Sequence, residues 1–340
     1  SVVLRSDISF HGKTIGAGSL SSGDNFVAGK ARFSFQKIQG VKTFTYNSIE
    51  SVQNLISAHK NDVYALFVEP FSCSTLTEAT PEFLDKLRAI CSKNKIVLVF
   101  DEIYSGFGKC GPNFYMEKYG ITPDLVCISK ALGGGKASIS AYVATEEIFK
   151  RAYGTTDGAL LHSTTYNSFG EECATAMEAC NILVEEKVSE RAFKLETILK
   201  EELRKLQNKY PSQIEEIRGV GSHFGVLFKS KILKLKPLLA LVPVPFVQDP
   251  NFLSKLIVTS LIDEFFHQHK CICAFTANKN VFLNFSPAPI TAPELVAERI
   301  RSFDSVLECG IENCVRKFIE RNLRKSKSRG TQLETSDYPR

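Results

Sequence analysis

The sequence predicts an α/β protein. A mostly parallel sheet sandwiched by helices occupies residues 1–205, a smaller α+β domain follows over 206–322, and the tail at 323–340 is expected to lack fixed structure. Three observations predict this. The runs Ile96-Val97-Leu98-Val99-Phe100 and Leu125-Val126-Cys127-Ile128 are apolar without alternation, as parallel strands buried on both faces must be. A helical period separates Ile96–Phe100 from an earlier apolar run, giving a βαβ unit. After Pro211 the pattern changes to short strands with helices between and after them.

In chain order, Val63 to Val68 reads as a strand. Thr80 and Pro81 then open a helix, because threonine caps helix N-termini and proline suits the first turn. Phe83, Leu84, Leu87, Ile90 and Cys91 fall on one face of that helix. The strands at 96–100 and 125–128 follow, then one over 139–144. Glu171 to Tyr210 is helical, as two helices or one bent one, and Pro211 ends it. Beyond it lie strands at 223–228, 270–275 and 280–285 and helices at 252–269 and 292–307.

The 340 residues suffice for two domains with cores, and 44% apolar with 23% charged residues is ordinary for a globular chain. No apolar stretch reaches the roughly 18 residues a membrane span needs; Leu238 to Val247 is broken by Pro243 and Pro245. No signal peptide is evident. The ten cysteines are scattered singly, which reads as buried free thiols in a reducing, cytoplasmic compartment. Without a CxxC pair, no metal site is expected. The net charge of +5 is modest, and part of it sits in Lys229 to Lys236 and Arg321 to Arg329. Neither stretch makes the continuous basic face that nucleic acid requires.

The chemistry concentrates at two strand ends. Asp101-Glu102 ends one buried run, and Ser129-Lys130 ends the next, followed by Gly133-Gly134-Gly135. Parallel strands deliver both residues to the carboxyl edge of the sheet, where α/β folds place ligands. An amine able to form a Schiff base, with an acid for a pyridinium nitrogen, is the pairing that pyridoxal phosphate needs.

Six segments then carry a family resemblance, in order: Ser9-Phe10-His11-Gly12-Lys13-Thr14, Val68-Glu69-Pro70, Asp101-Glu102-Ile103-Tyr104-Ser105-Gly106-Phe107-Gly108, Ser129-Lys130-Ala131-Leu132-Gly133-Gly134-Gly135, His162-Ser163-Thr164-Thr165-Tyr166 and Arg218-Gly219-Val220-Gly221. The chain resembles the class III (ornithine/acetylornithine/GABA-type) aminotransferases from residue 1 to about 300.

The resemblance implies a type I pyridoxal-phosphate fold, like that of aspartate aminotransferase: a three-layer sandwich with a smaller C-terminal α+β domain. It implies Lys130 as Schiff-base lysine and proton shuttle, and Asp101 as the partner of the pyridine nitrogen. Phe10 is implied to stack on the cofactor ring, with core packing as its rival role. His11 follows in a structural role, and Glu69 orders surrounding groups. Thr165 is implied to reach a neighbouring subunit's cofactor phosphate, which calls for a homodimer. Glu102 reads as a brace for its loop.

Three departures bear on substrate. Only nine residues precede Phe10, and none resembles the family's phosphate loop, so that loop is expected to be absent and the chain truncated at its N-terminus. Tyr104 stands where most members place the glutamine that meets the cofactor's phenolic oxygen. Asn284 and Ser74 stand at the positions of the arginine that holds an α-carboxylate and the glutamate that neutralises it. Their joint replacement is coherent, because losing one would strand a buried charge. The expected function is pyridoxal-phosphate-dependent transfer of an amino group from an amine or amino-acid donor to a carbonyl acceptor. The alternatives are a lyase or mutase on the same scaffold, or a non-catalytic fragment of a longer protein.

Overall fold

The computed structural model describes residues 1–22, 38–159, 161–229, 251–276 and 280–333. The chain forms two compact units. The first comprises Ser1–Glu196, Gly219–His223 and Pro287–Ile290; the second comprises Thr197–Arg218, Phe224–Ser286 and Thr291–Arg340.

The first unit is built on β1 (Val2–Ser6), followed by α1 (Ile15–Leu20), β2 (Val41–Phe44), α2 (Ile49–His59) and β3 (Val63–Val68). A small hairpin follows, β4 (Phe71–Ser72) with β5 (Thr77–Glu78), then α3 (Pro81–Asn94), β6 (Val97–Asp101), α4 (Tyr115–Tyr119) and β7 (Leu125–Ile128). The unit continues with β8 (Ala141–Ala144), α5 (Glu146–Tyr153), α6 (Gly170–Glu185) and the start of α7 (Val188–Lys209). Six of the strands form one sheet in the order β2-β1-β3-β6-β7-β8. Pairing is parallel from β2 to β7, and only β8 runs antiparallel. The chain therefore moves outward from β1 to β2, returns across to β3, and proceeds the other way. The order reverses beside β1, the kind of switch point at which a crevice opens outside the strand carboxyl ends.

The core explains the order. Leu4, Leu66, Leu98 and Phe100 are fully buried with Phe83, Leu84, Leu87 and Cys91 of α3. The amphipathic face read from the sequence is the face that packs, apart from the partly exposed Ile90. Thr80 caps α3 by accepting from the Phe83 N–H, with Pro81 in the first turn, and Lys95 closes it in the left-handed region at φ 56°. Burial of each such leucine contributes about 1.5–3 kcal/mol. A second cluster joins Phe107, Val126, Ile128 and Leu132 to Ala176, Leu183 and Val188.

The second unit holds most of β9 (Ile214–Val220) and of β10 (His223–Phe228), whose facing ends at Gly219–His223 belong to the first, and α8 (Phe252–His269), β11 (Ala274–Phe275), β12 (Phe282–Phe285), α9 (Pro293–Cys309) and α10 (Ile311–Leu333). Its sheet has the order β11-β12-β10-β9. Phe303 packs edge-on against Phe265 and Phe285, with ring centroids 5.1 and 5.4 Å away. Buried Glu264 ties α8 to α10 through Lys317 at 2.7 Å and Arg321 at 2.6 Å. Burial alone would raise the Glu264 carboxyl, but hydrogen bonds from Lys317, Gln268 and Arg321 bring it down to about 2.

The helical stretch near 171–210, read as two helices or one bent one, is two helices, broken where Lys187 adopts φ 48°. The two units divide within α7 at Glu196, and two later segments return to the first unit. Other expectations need correction. β1, α1, β2 and α2, all before Val63, escaped the sequence reading, as did β9 and α5: β9 is Ile-Glu-Glu-Ile-Arg-Gly-Val, too charged to read as a strand, and α5 buries none of its residues. The tail expected without structure from 323 is helical to Leu333, because its lysines and arginines are good helix formers even without an apolar period. The basic residues 230–236 and the end at 334–340 lie outside the described residues. None of the ten cysteines is paired, but only Cys91, Cys110 and Cys314 are buried and Cys180 is exposed. Among the described residues no helix is long and apolar enough to cross a membrane.

Candidate active site

Four adjacent strands of the first sheet, β1, β3, β6 and β7, each end in a residue able to do chemistry. β1 leads into Phe10 and His11, β3 into Glu69, β6 ends on Asp101, and β7 leads into Lys130. Asp101 pairs in register with Cys127, three residues before Lys130, so carboxylate and amine share one edge.

At the carboxylate end, His11 Nδ1 lies 2.7 Å from Asp101 Oδ2, and the Ile103 N–H donates to Asp101 Oδ1 at 3.0 Å. The two partnered side chains are 4% and 7% exposed. His11 Nε2 is buried without a partner among the described residues. Glu69 Oε2 accepts the Phe10 N–H at 2.8 Å, which links the β1 and β3 ends. Burial raises the Glu69 carboxyl to about 7, with Asp101 adding to the effect and His11 and the N–H groups of Phe10 and Cys73 opposing it. Burial likewise pushes up the Cys73 thiol, which is hydrogen-bonded to Glu69.

Lys130 is exposed and occupies the left-handed region at φ 48°. A non-glycine residue there stores on the order of 1 kcal/mol of strain, a feature that concentrates at functional sites. Ser129 holds the turn by donating Oγ to Ile139 O at 2.9 Å. The Lys130 Nζ rests 4.6 Å from the centroid of the Tyr104 ring.

Tyr104 in turn contacts His223, with Oη 2.7 Å from Nδ1. His223 was not foreseen. It lies 119 positions from Tyr104 in sequence, and its one signal is that it follows the Arg218-Gly219-Val220-Gly221 motif. The turn carrying it is fastened to the 106–111 loop. Ser222 donates from N and Oγ to Lys109 O at 3.1 and 3.2 Å, and Lys109 Nζ donates back to Ser222 O at 3.3 Å and to Pro287 O at 2.7 Å. Gly221, at φ 54°, is required here, because a Cβ would sit 2.5 Å from the Cys110 carbonyl carbon. Burial lowers the Lys109 ammonium to about 8. Burial, helped by Lys109 and Lys130, lowers His223 to about 3.

Glu102 points away from this chemistry. Its carboxylate accepts from the N–H groups of Tyr115 at 2.5 Å and Met116 at 2.8 Å and from Ser105 Oγ at 3.0 Å, bracing the loop as expected. Ser74 Oγ donates to Ile8 O at 3.0 Å, within the first unit. Asn284 lies on β12 in the second unit, its Oδ1 buried without a partner among the described residues. Thr165 is exposed. Beside β8, a groove of about 950 Å³ is lined by residues that include Ile103, Cys127, Tyr142, His162, Tyr166 and Phe169.

Residues 2–243 match the family described as Aminotransferase class-III. Among solved structures, a transaminase from the marine bacterium Virgibacillus is 19% identical, with 93% of this chain and 69% of that one covered at a TM-score of 0.76. The ornithine aminotransferase of Toxoplasma gondii, in a structure with pyridoxal phosphate at partial occupancy in its active site, is 23% identical, with 91% and 65% covered at 0.72. An (S)-enantioselective omega-transaminase from Thermomicrobium roseum is 20% identical, with 90% and 67% covered at 0.72. The chain thus spans about two thirds of the length of each, and the likeness is one of fold.

Proposed function

Because the chain belongs to the class III aminotransferases, we propose that it binds pyridoxal phosphate and moves an amino group from an amine or amino-acid donor to a carbonyl acceptor. The observation that carries this reading is the placement of Asp101 and Lys130 at the carboxyl ends of adjacent parallel strands. The donor set fits the cofactor: an exposed primary amine for its aldehyde and a buried carboxylate for its ring nitrogen. When bound, pyridoxal phosphate supplies an aldehyde that captures amines and a ring that accepts the electron pair left when a proton leaves the substrate carbon.

The chain's own residues do the rest. Lys130 Nζ is the nucleophilic amine that would hold the cofactor's aldehyde, and as a free amine it would be the base able to move a proton at the substrate carbon. Asp101 would face the ring nitrogen of the bound cofactor with its carboxylate, whose orientation His11 and the Ile103 N–H fix. Glu69 anchors the Phe10 backbone, so that the Phe10 ring can lie against the cofactor. Tyr104 takes the place of the family's glutamine. Thr165, exposed in this chain, is proposed to serve the phosphate of a partner subunit in a twofold homodimer. Asn284 and Ser74, in place of a charged pair, favour donors without a free α-carboxylate. The unpaired cysteines support a reducing, cytoplasmic setting.

The test incubates the cofactor-loaded chain with a simple amine and follows release of the matching carbonyl product by mass spectrometry, then adds a carbonyl acceptor and follows its amination. Both half-reactions are expected. Release of ammonia with no aminated acceptor would replace transfer by elimination.

A further inference from the structure

Lys130, Tyr104 and His223 form a chain of contacts whose far end has no role in the reaction described above. The Lys130 ammonium lies over one aromatic ring, and that ring meets the His223 ring edge-on, with centroids 5.0 Å apart and an interplanar angle of 68°. His223 is 3% exposed and is held from one side by Phe71, ring to ring at 6.3 Å. Its turn is strapped to Lys109 by three hydrogen bonds, and Gly221 admits the close approach. Such fastening places one imidazole nitrogen against one phenol.

We propose that His223 is a positioning residue: by accepting the Tyr104 hydroxyl hydrogen on Nδ1, it fixes the Tyr104 ring as the platform on which the Lys130 ammonium rests. The proposal rests on the reading that Lys130 is the reacting amine. A phenol donates readily, and the charged groups that act on His223, Lys109 and Lys130, both disfavour a second proton on the imidazole. The imidazole is therefore neutral, and in the proposed tautomer Nδ1 accepts while Nε2, buried without a partner among the described residues, carries the hydrogen. The ring's negative face attracts a cation, and it can do so reproducibly only if the ring is held still. An exposed lysine on a four-carbon stem otherwise samples many rotamers. The platform keeps the amine beside the site during the part of the cycle in which the donor has displaced it. Where the family motif gives a glutamine, this chain has an aromatic ring, and the ring needs a partner to hold it.

The direct measurement uses the chain without cofactor. Trinitrobenzenesulfonate labelling at fixed pH is followed by peptide mass spectrometry, with exposed Lys136 as internal reference. His223→Leu and Tyr104→Phe should each raise the labelling rate of Lys130 about 2–5-fold, the release expected for one exposed cation–π contact. The double variant should rise no further than either single one. His223→Gln, whose amide oxygen can accept the same hydrogen, should restore the slow rate. In ¹⁵N spectra at pH 6, His223 should show a bare Nδ1 and a protonated Nε2, and Tyr104→Phe should shift Nδ1. Unchanged Lys130 labelling in Tyr104→Phe, additive effects in the double variant, or a hydrogen on Nδ1 would each overturn the proposal. If His223→Leu does not fold, Tyr104→Phe and His223→Gln decide the matter. Because the labelling needs no cofactor, failure of Lys130 to capture pyridoxal phosphate would count against the proposed function alone.

Discussion

Replacing Glu69 by glutamine should flatten the pH dependence of stability. Glu69 is 4% exposed, and burial is the largest reason its carboxyl rises from the ordinary 4.5 to about 7. Between those values the folded chain keeps a proton that the unfolded chain has released. Stability therefore falls as pH rises through this window, by 1.36 kcal/mol for each unit of the shift, or about 3 kcal/mol in all. Glutamine keeps the shape, and its side-chain oxygen can still accept the Phe10 N–H, but it cannot ionise. The assay is urea unfolding followed by circular dichroism at intervals from pH 4.5 to 7.5, for both proteins. The variant's advantage over the parent should climb by about 3 kcal/mol across the window. A difference that stays flat, or that falls with pH, would refute the assignment of a buried, proton-retaining carboxyl at this position.

Other substitutions probe the remaining parts. Asp101→Asn should reduce turnover far more than it weakens cofactor binding, as read by comparing kcat with the cofactor Kd, because it removes the charge and keeps the shape. Glu102→Ala should destabilise by about 3 kcal/mol in urea unfolding, since it leaves the buried Tyr115 N–H and the half-buried Met116 N–H without their acceptor. Glutamate should be a poor donor, its kcat/KM lower by about 2–5 kcal/mol than at a site with an arginine, because Asn284 offers no charged fork, and simple amines should do relatively better. Rapid turnover of glutamate in a donor panel would show that another cation has taken that role.

The parallel strands β3, β6 and β7 and the helix α3 were legible in the sequence because local pattern and tertiary role coincide there. Buried parallel strands are continuous apolar runs, and a capped amphipathic helix carries its own start signal. For the same reason Asp101 and Lys130 could be placed on one sheet edge: each terminates such a run. β9 was hidden by its charges, since Glu215, Glu216 and Arg218 obscure the alternation. The continuation of α10 was hidden because propensity, not periodicity, extends it. His223 was invisible for a different reason. Its function depends on a through-space contact with Tyr104 that no local pattern encodes, and it is the Gly221 turn, pressed against the Cys110 backbone, that brings the two together. The pairing of His11 with Asp101 is of the same kind: the motif named both residues, but only the fold shows that they touch.

The central claim is that Lys130 is the amine that captures the cofactor. The most direct measurement adds pyridoxal phosphate to the purified chain, reduces with borohydride, digests, and maps the modified lysine by mass spectrometry. Modification is expected at Lys130, with exposed Lys136 as the built-in reference, and it should vanish in Lys130→Ala while the circular dichroism spectrum is unchanged. Equal modification of Lys136 and Lys130, or full modification persisting in Lys130→Ala, would contradict the account.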